Sequence, residues 1–259
     1  MEKLINDRNC LFSDNPNRNT IIEINDQCQL LLDLIKPCHP PIIYNPYKKF
    51  VAKIDQWIQY KKFVEFPYSV GILQYQLSEE MRNFYQKLFS FCFVSNHLLE
   101  ILSSIITKTY IDIGSGACYL SFCLEQLHDK NPICVEKIEG KGFIPYVQMD
   151  GREWLDKNVR NYPNVDILLV WPPLFDEEKG DQENDLAFIV AKRMLTNNRL
   201  IYCGSGKGGI TGSTRFFDYL QKNFVVLIKE TSKLNQVYHS FKYVGDAWLV
   251  LYKVKNDCQ

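Results

Sequence analysis

From residue 108 to residue 254 the chain switches between short apolar runs and stretches with apolar residues three or four apart. Short runs closed by turn residues read as buried strands, and the wider spacing reads as helices laid on a sheet. Tyr110–Ile113 is the first such strand. Gly114 and Gly116 follow it, then a helical stripe of Leu120, Cys123, Leu124 and Leu127. Ile133–Val135 predicts a second strand ending at Glu136, and Phe143–Gln148 a third ending before Asp150-Gly151. Val165–Val170 is a near-continuous apolar run, the pattern of a parallel strand covered on both faces, and it leads into Trp171-Pro172-Pro173-Leu174-Phe175. A helix over Leu186–Met194, a strand over Leu200–Cys203 and a helix over Phe216–Gln221 continue the alternation. Between the last strands, Phe224–Ile228 and Ala247–Val254, no convincing helix is visible. A plain loop there predicts an antiparallel pair, because a parallel pair needs a crossover.

The front of the chain is patterned more weakly. Residues 1–75 carry Asn, Asp and Pro punctuation, as in Asp14-Asn15-Pro16 and Pro37-Cys38-His39-Pro40-Pro41, with one short helix-like segment over Cys28–Leu34. From Ser78 the periodicity sharpens into a stripe of Met81, Phe84, Tyr85, Leu88 and Cys92, and a further helix is expected over Asn96–Ile106 with Ser95 or Asn96 as its cap. The expected organisation is an N-terminal extension, 1–75, before a domain over 76–259 whose core spans 108–254.

Composition narrows the classes. Lys plus Arg and Asp plus Glu are equal at 30 each, so bulk charge favours neither nucleic acid nor a membrane surface. No apolar run reaches the ~20 residues of a membrane span, and the start has no apolar leader, so a cytoplasmic protein is expected. The nine cysteines form no C-x-x-C pair, and most of them, such as Cys92, Cys123, Cys134 and Cys203, sit in apolar segments, which reads as buried reduced thiols rather than zinc ligands. Segments that interleave bases with aromatics, Tyr44–Phe50 and Tyr60–Phe63, admit a single-stranded nucleic-acid surface or a solvated amphipathic face.

The candidate chemistry starts at Asp112-Ile113-Gly114-Ser115-Gly116. A strand feeding a helix through glycines is where open α/β sheets bind nucleotide-like ligands. A dinucleotide fingerprint needs a third glycine, and that position holds Tyr119, which disfavours a nicotinamide cofactor. Gly204-Ser205-Gly206-Lys207 is not a phosphate loop, because Lys207 is followed by Gly208 and Ile201 stands at the required first glycine.

An acid two residues before the first of two glycines resembles the first motif of class I methyltransferases dependent on S-adenosylmethionine (SAM). That resemblance implies an α/β, Rossmann-like class I methyltransferase fold: a mostly parallel sheet with an antiparallel last strand, here with an N-terminal extension. It implies SAM as cofactor, held by Asp112 at the ligand ammonium, by Gly114 and Gly116, by Glu136 at the ribose hydroxyls and by Asp150 at the adenine amino group. Glu136 lies 24 residues beyond Asp112, near the ~20-residue spacing at which an acid meets a ribose. Solvated strand-end acids are the competing reading for all three carboxylates.

Trp171-Pro172-Pro173-Leu174-Phe175 resembles the Asp/Asn-Pro-Pro-aromatic motif of amino-group methyltransferases, but Trp171 replaces the polar first residue and can only donate. The catalytic neighbourhood expected from the resemblance is Trp171, Pro172, Pro173 and Phe175, with the indole and Phe175 as a stacking wall; Trp171 as a lid on the core is the alternative. W-P-P after strand four together with G-G-x-T-G at 208–212 resembles a group of methyltransferase-like proteins whose acceptor is not defined. The methyl acceptor, small or macromolecular, therefore stays open. Two further readings stand beside the enzyme: a non-catalytic SAM-binding or protein-interaction module, and, more weakly, a nicotinamide-dependent oxidoreductase.

Overall fold

The structure is a computed structural model that describes Leu11 and residues 17–35, 82–83, 85–173, 185–238 and 246–254. Packing divides the chain into two compact units, one of residues 1–88 with 241–243 and the other of residues 89–240 with 244–259. In the first unit the expected short helix is longer: α1 spans Arg18–Ile35, and its buried Ile21, Ile24 and Cys28 recur at helical spacing. Of the expected stripe after Ser78, Tyr85–Leu88 is helical, whereas Cys92 lies beyond it in non-helical chain.

The second unit is an α/β sandwich. Helix α2 (Asn96–Ile105) starts where the sequence places it, capped by the Ser95 hydroxyl, which accepts from Leu98 N at 3.1 Å. Next come β1 (Thr109–Ile113), α3 (Tyr119–His128), β2 (Asn131–Glu136), β3 (Val147–Gln148), α4 (Gly151–Asn158) and β4 (Asp166–Val170). The chain then runs through α5 (Leu186–Arg193), β5 (Arg199–Ser205), α6 (Thr214–Asn223), β6 (Phe224–Val226), α7 (Ile228–Val237) and β7 (Asp246–Lys253). The seven strands order as β3-β2-β1-β4-β5-β7-β6, parallel from β3 to β5, with β7 antiparallel to both β5 and β6. This matches the expected mostly parallel sheet with an antiparallel last strand.

Alternation along the strands builds two cores. Ile111 and Ile113 face one way, into a cluster with Leu155, Val190 and Phe216 from α4, α5 and α6. Tyr110 and Asp112 face the other way, and the Tyr110 hydroxyl donates to Ser121 of α3 at 3.0 Å. At the amino-terminal edge of the sheet, Arg199 holds Asp166 through two bonds of 2.7 Å and Thr107 N donates to the same carboxylate at 2.7 Å. Only 1% of the Asp166 side chain is exposed, so this ion pair belongs to the frame of the sheet.

Two expectations need correction. The third strand is only Val147–Gln148, because Pro145 offers no ladder donor and Phe143 turns inward against Phe89, Tyr119 and Phe122. The connection between the last two strands is not a plain loop but carries α7. Only Leu234 of this helix is buried, which left no apolar stripe to read. Its polar side chains do the work of a missing strand. Asn235 accepts from Trp248 N at 2.9 Å and donates to Trp248 O at 2.8 Å, while Thr231 Oγ1 accepts from Val250 N at 3.0 Å. Short β6 pairs only with Leu251–Lys253, so α7 satisfies the part of β7 that β6 does not reach.

Candidate functional site

Strand order reverses between β1 and β4, and beyond the carboxyl ends of these strands lies a cleft of about 690 Å³. That is the place and the size of a small-molecule site in an open α/β sheet. Gly114 and Gly116 bring the glycine loop to its floor, Glu136 and Asp150 stand on one wall, and Trp171, Pro172 and Pro173 stand on the other. Phe175 lies outside the described residues, as do the aromatic-basic segments at 44–50 and 60–63.

The glycine loop is held by the backbone of β2. Gly114 N and Ser115 N both donate to Val135 O, at 2.8 and 3.3 Å. Gly114 and Gly116 take φ of +70° and +55°, which a side chain adopts only with strain, and a Cβ on Gly116 would point into open space. Tyr119, at the site of the missing third glycine, is buried against Phe89 and Phe143. The loop therefore leads into a helix whose first residue belongs to an aromatic cluster.

The three candidate acids have distinct surroundings. Glu136 closes the loop: its Oε2 accepts from Gly116 N at 2.8 Å and its Oε1 from Ile138 N at 2.9 Å. Each oxygen keeps a further lone pair, so the carboxylate can still accept two hydroxyl bonds. Asp150 caps α4 by accepting from Arg152 N at 2.9 Å, and its oxygens also take Arg152 Nε at 2.8 Å, Arg152 Nη2 at 2.9 Å and Lys137 Nζ at 3.4 Å. The Arg152 guanidinium holds its carboxyl well below the usual carboxylate range. Three acceptor positions are thereby hydrogen-bonded by Arg152 and the Lys137 ammonium stands at the fourth, so a base amino group would have to displace one of these groups.

Asp112 does not line the cleft. Its side chain is buried on the α3 face and accepts from Ser121 Oγ at 2.6 Å. Burial, opposed by the Ser121 hydrogen bond and reinforced by the Glu136 charge, pushes its carboxyl up to about 7. The two acids share strand parity, since Asp112 pairs with Cys134 and Glu136 lies two residues beyond it. What separates them is position along the strand: Asp112 lies inside β1 under α3, and Glu136 is the last residue of β2, where it turns into the cleft.

At the opposite wall, Trp171 N donates to Cys203 O at 2.7 Å, and the residue sits at φ +50°, in the left-handed region. Its indole lies 6.2 Å from the Phe91 ring at 23°. Pro173 bridges Thr211 of the glycine-rich loop after β5. A buried network anchors that loop, with Thr211 Oγ1 accepting from Ser205 N at 2.7 Å and lying 2.8 Å from the Tyr202 hydroxyl. Ser213 then caps α6 at Phe216 N, 3.0 Å away. Sequence reasoning missed Phe91, Leu186 and Ile210 as cleft residues. Phe91 was hidden within a stripe read as helical, and the apolar Leu186 and Ile210 carry no local signal.

No family model matches the sequence, and no curated protein matches it. Among solved structures, the chain is similar to an rRNA methylase from Streptococcus thermophilus, at 14% identity and TM-score 0.36 over 61% of this chain and 95% of that one. It is similar to the N-methyltransferase NodS of Bradyrhizobium japonicum WM9 in complex with S-adenosylhomocysteine, at 13% identity and TM-score 0.37 over 61% and 84%. It is also similar to MtNAS in complex with MTA and tNA, at 13% identity and TM-score 0.36 over 98% and 97%. With β7 inserted antiparallel between β5 and β6 beside five parallel strands, the chain has a Rossmann-like α/β fold, the mostly parallel sheet with an antiparallel last strand that the resemblance implied.

Proposed function

We propose that this chain is a SAM-dependent methyltransferase that binds SAM between the glycine loop and Glu136 and receives its acceptor at the W-P-P wall. The observation that carries the reading is convergence: the glycine loop, Glu136, Asp150 and Trp171-Pro172-Pro173, remote in sequence, line one cleft at the switch point of the sheet. SAM, when bound, supplies an electrophilic methyl group. The chain's own residues bind and orient. Glu136 has acceptor capacity left for the ribose hydroxyls, and the positive-φ glycines keep the floor free of side chains. Trp171, Pro172, Pro173 and Phe91 present a largely apolar wall that excludes water and limits the orientations of an acceptor. Positioning of this kind can supply a large part of a transfer rate without a dedicated base.

Calorimetry with SAM, S-adenosylhomocysteine and NAD tests the reading. The expected outcome is binding of the first two and none of NAD, whose pyrophosphate has no third glycine to pack on; NAD binding equal to SAM binding would sink it. Trp171→Ala should leave S-adenosylhomocysteine affinity unchanged while turnover on an acceptor found by screening falls by about tenfold or more.

A further inference from the structure

We infer that Asp246 is a positioning residue: it holds the Trp171 indole by its Nε1–H, so that the ring stands as a flat wall at the acceptor end of the cleft, a role that rests on the methyltransferase reading for what the wall meets. Trp171 Nε1 donates to Asp246 Oδ2 at 3.2 Å, and the Tyr238 hydroxyl donates to the same oxygen. Asp246 opens β7 opposite Ser205, at the carboxyl edge of β5, with β5 between it and β4, the strand that leads into the W-P-P turn.

Three observations carry the assignment. Asp246 is 7% exposed, and among the described residues its polar contacts are an indole and a phenol rather than a cation. Its Oδ1 is buried with no hydrogen-bond partner among the described residues, a costly arrangement for a residue with no task. Trp171 sits at φ +50°, a conformation that persists only when its surroundings hold it. The bond from Trp171 N to Cys203 O fixes the backbone of this turn, and the bond to Asp246 fixes the ring. A hydrogen bond to a carboxylate is roughly twice as strong as a neutral one, which suits the purpose. Because the indole donor is spent on Asp246, Trp171 meets the cleft with π surface and not with an N–H.

The test is the indole ¹H–¹⁵N spectrum of the full chain, with the Trp171 signal assigned by its loss in Trp171→Phe. In Asp246→Ala the Trp171 Nε1 proton should move upfield and exchange with solvent about tenfold faster or more, as expected for loss of a bond to a charged acceptor. The signal of Trp154, in α4, should stay in place. Asp246→Asn, which keeps an acceptor without the charge, should fall between the two and thus rescue part of the effect. An unmoved Trp171 signal overturns the proposal, as does a common shift of every indole, which would mean general loosening. If Asp246→Ala does not fold, Asp246→Asn decides: faster exchange at Trp171 with Trp154 unmoved supports the role, and unchanged exchange overturns it. S-adenosylhomocysteine titrated into the native protein separates the two readings. Absence of binding refutes the methyltransferase reading, while the indole signals still report on the Trp171–Asp246 bond.

Discussion

At the scale of the residue, two acids at neighbouring strand ends behave differently because one faces a helix and the other faces a cleft. Asp112 has its carboxyl pushed up to about 7 by burial. The folded state thus holds that proton more tightly than the unfolded chain, where an aspartate titrates near about 4. The stability contributed by the neutral form is complete below about 4 and is lost as the pH rises through about 7. Asp112→Asn keeps an acceptor for Ser121 and carries no charge. Thermal unfolding should show this variant gaining on the native protein across that window, by up to about 1.4 kcal/mol per pH unit. A pH-independent difference would mean that the carboxylate is not desolvated. Glu136 belongs to the cleft, and Glu136→Ala should weaken S-adenosylhomocysteine binding by about 1–3 kcal/mol with little change in melting temperature. Normal binding with an early melt would make Glu136 structural. The sequence identified both residues as strand-end acids. It did not separate them, because their roles depend on what covers each strand end: α3 lies over Asp112, whereas Glu136 at the last residue of β2 reaches the cleft.

At the scale of the element, the loop after β5 shows how a glycine-rich segment is given one conformation. Thr211 Oγ1 accepts from Ser205 N and lies within hydrogen-bond reach of the Tyr202 and Ser205 hydroxyls, and these groups are buried. Thr211→Val keeps the shape and removes the acceptor, leaving Ser205 N–H unpaired. It should cost about 1–3 kcal/mol in urea denaturation and speed amide exchange across residues 206–212. Equal stability would show that the network contributes nothing net. Strands β1 and β4 were legible, since each is an apolar run covered on both faces. Helix α7 was not legible: its contribution lies in Thr231 and Asn235, whose partners on β7 lie 19 and 13 residues further along the chain. Polar residues matched to a distant backbone leave no period in the sequence.

At the scale of the whole molecule, the two edges of the sheet divide the labour. The carboxyl edge carries the cleft, and the amino edge carries Arg199 and Asp166. Asp166→Ala strips a buried-side partner from Arg199 and should destabilise by about 3–5 kcal/mol in urea denaturation, with S-adenosylhomocysteine affinity unchanged in the folded protein. Loss of affinity in a stably folded variant would show that the two edges are coupled. By itself, the sequence determined the alternation of strand and helix and the glycine turn; the antiparallel last strand came out as expected, although the connection argued to be a plain loop carries α7. It also singled out part of the cleft lining: Gly114, Gly116, Glu136, Asp150 and Trp171-Pro172-Pro173. These are local properties: periodicity, backbone freedom and residue type act within a few positions. Only the tertiary structure decided that Asp112 is buried off the cleft, that Asp150 is engaged by Arg152, that Phe91 and Ile210 join the wall and that Asp246 reaches Trp171. Apart from the Asp150–Arg152 contact, which spans two residues and depends on the rotamer taken at the start of α4, these depend on packing between residues well separated in the chain, and such pairings exist only once the sheet has formed.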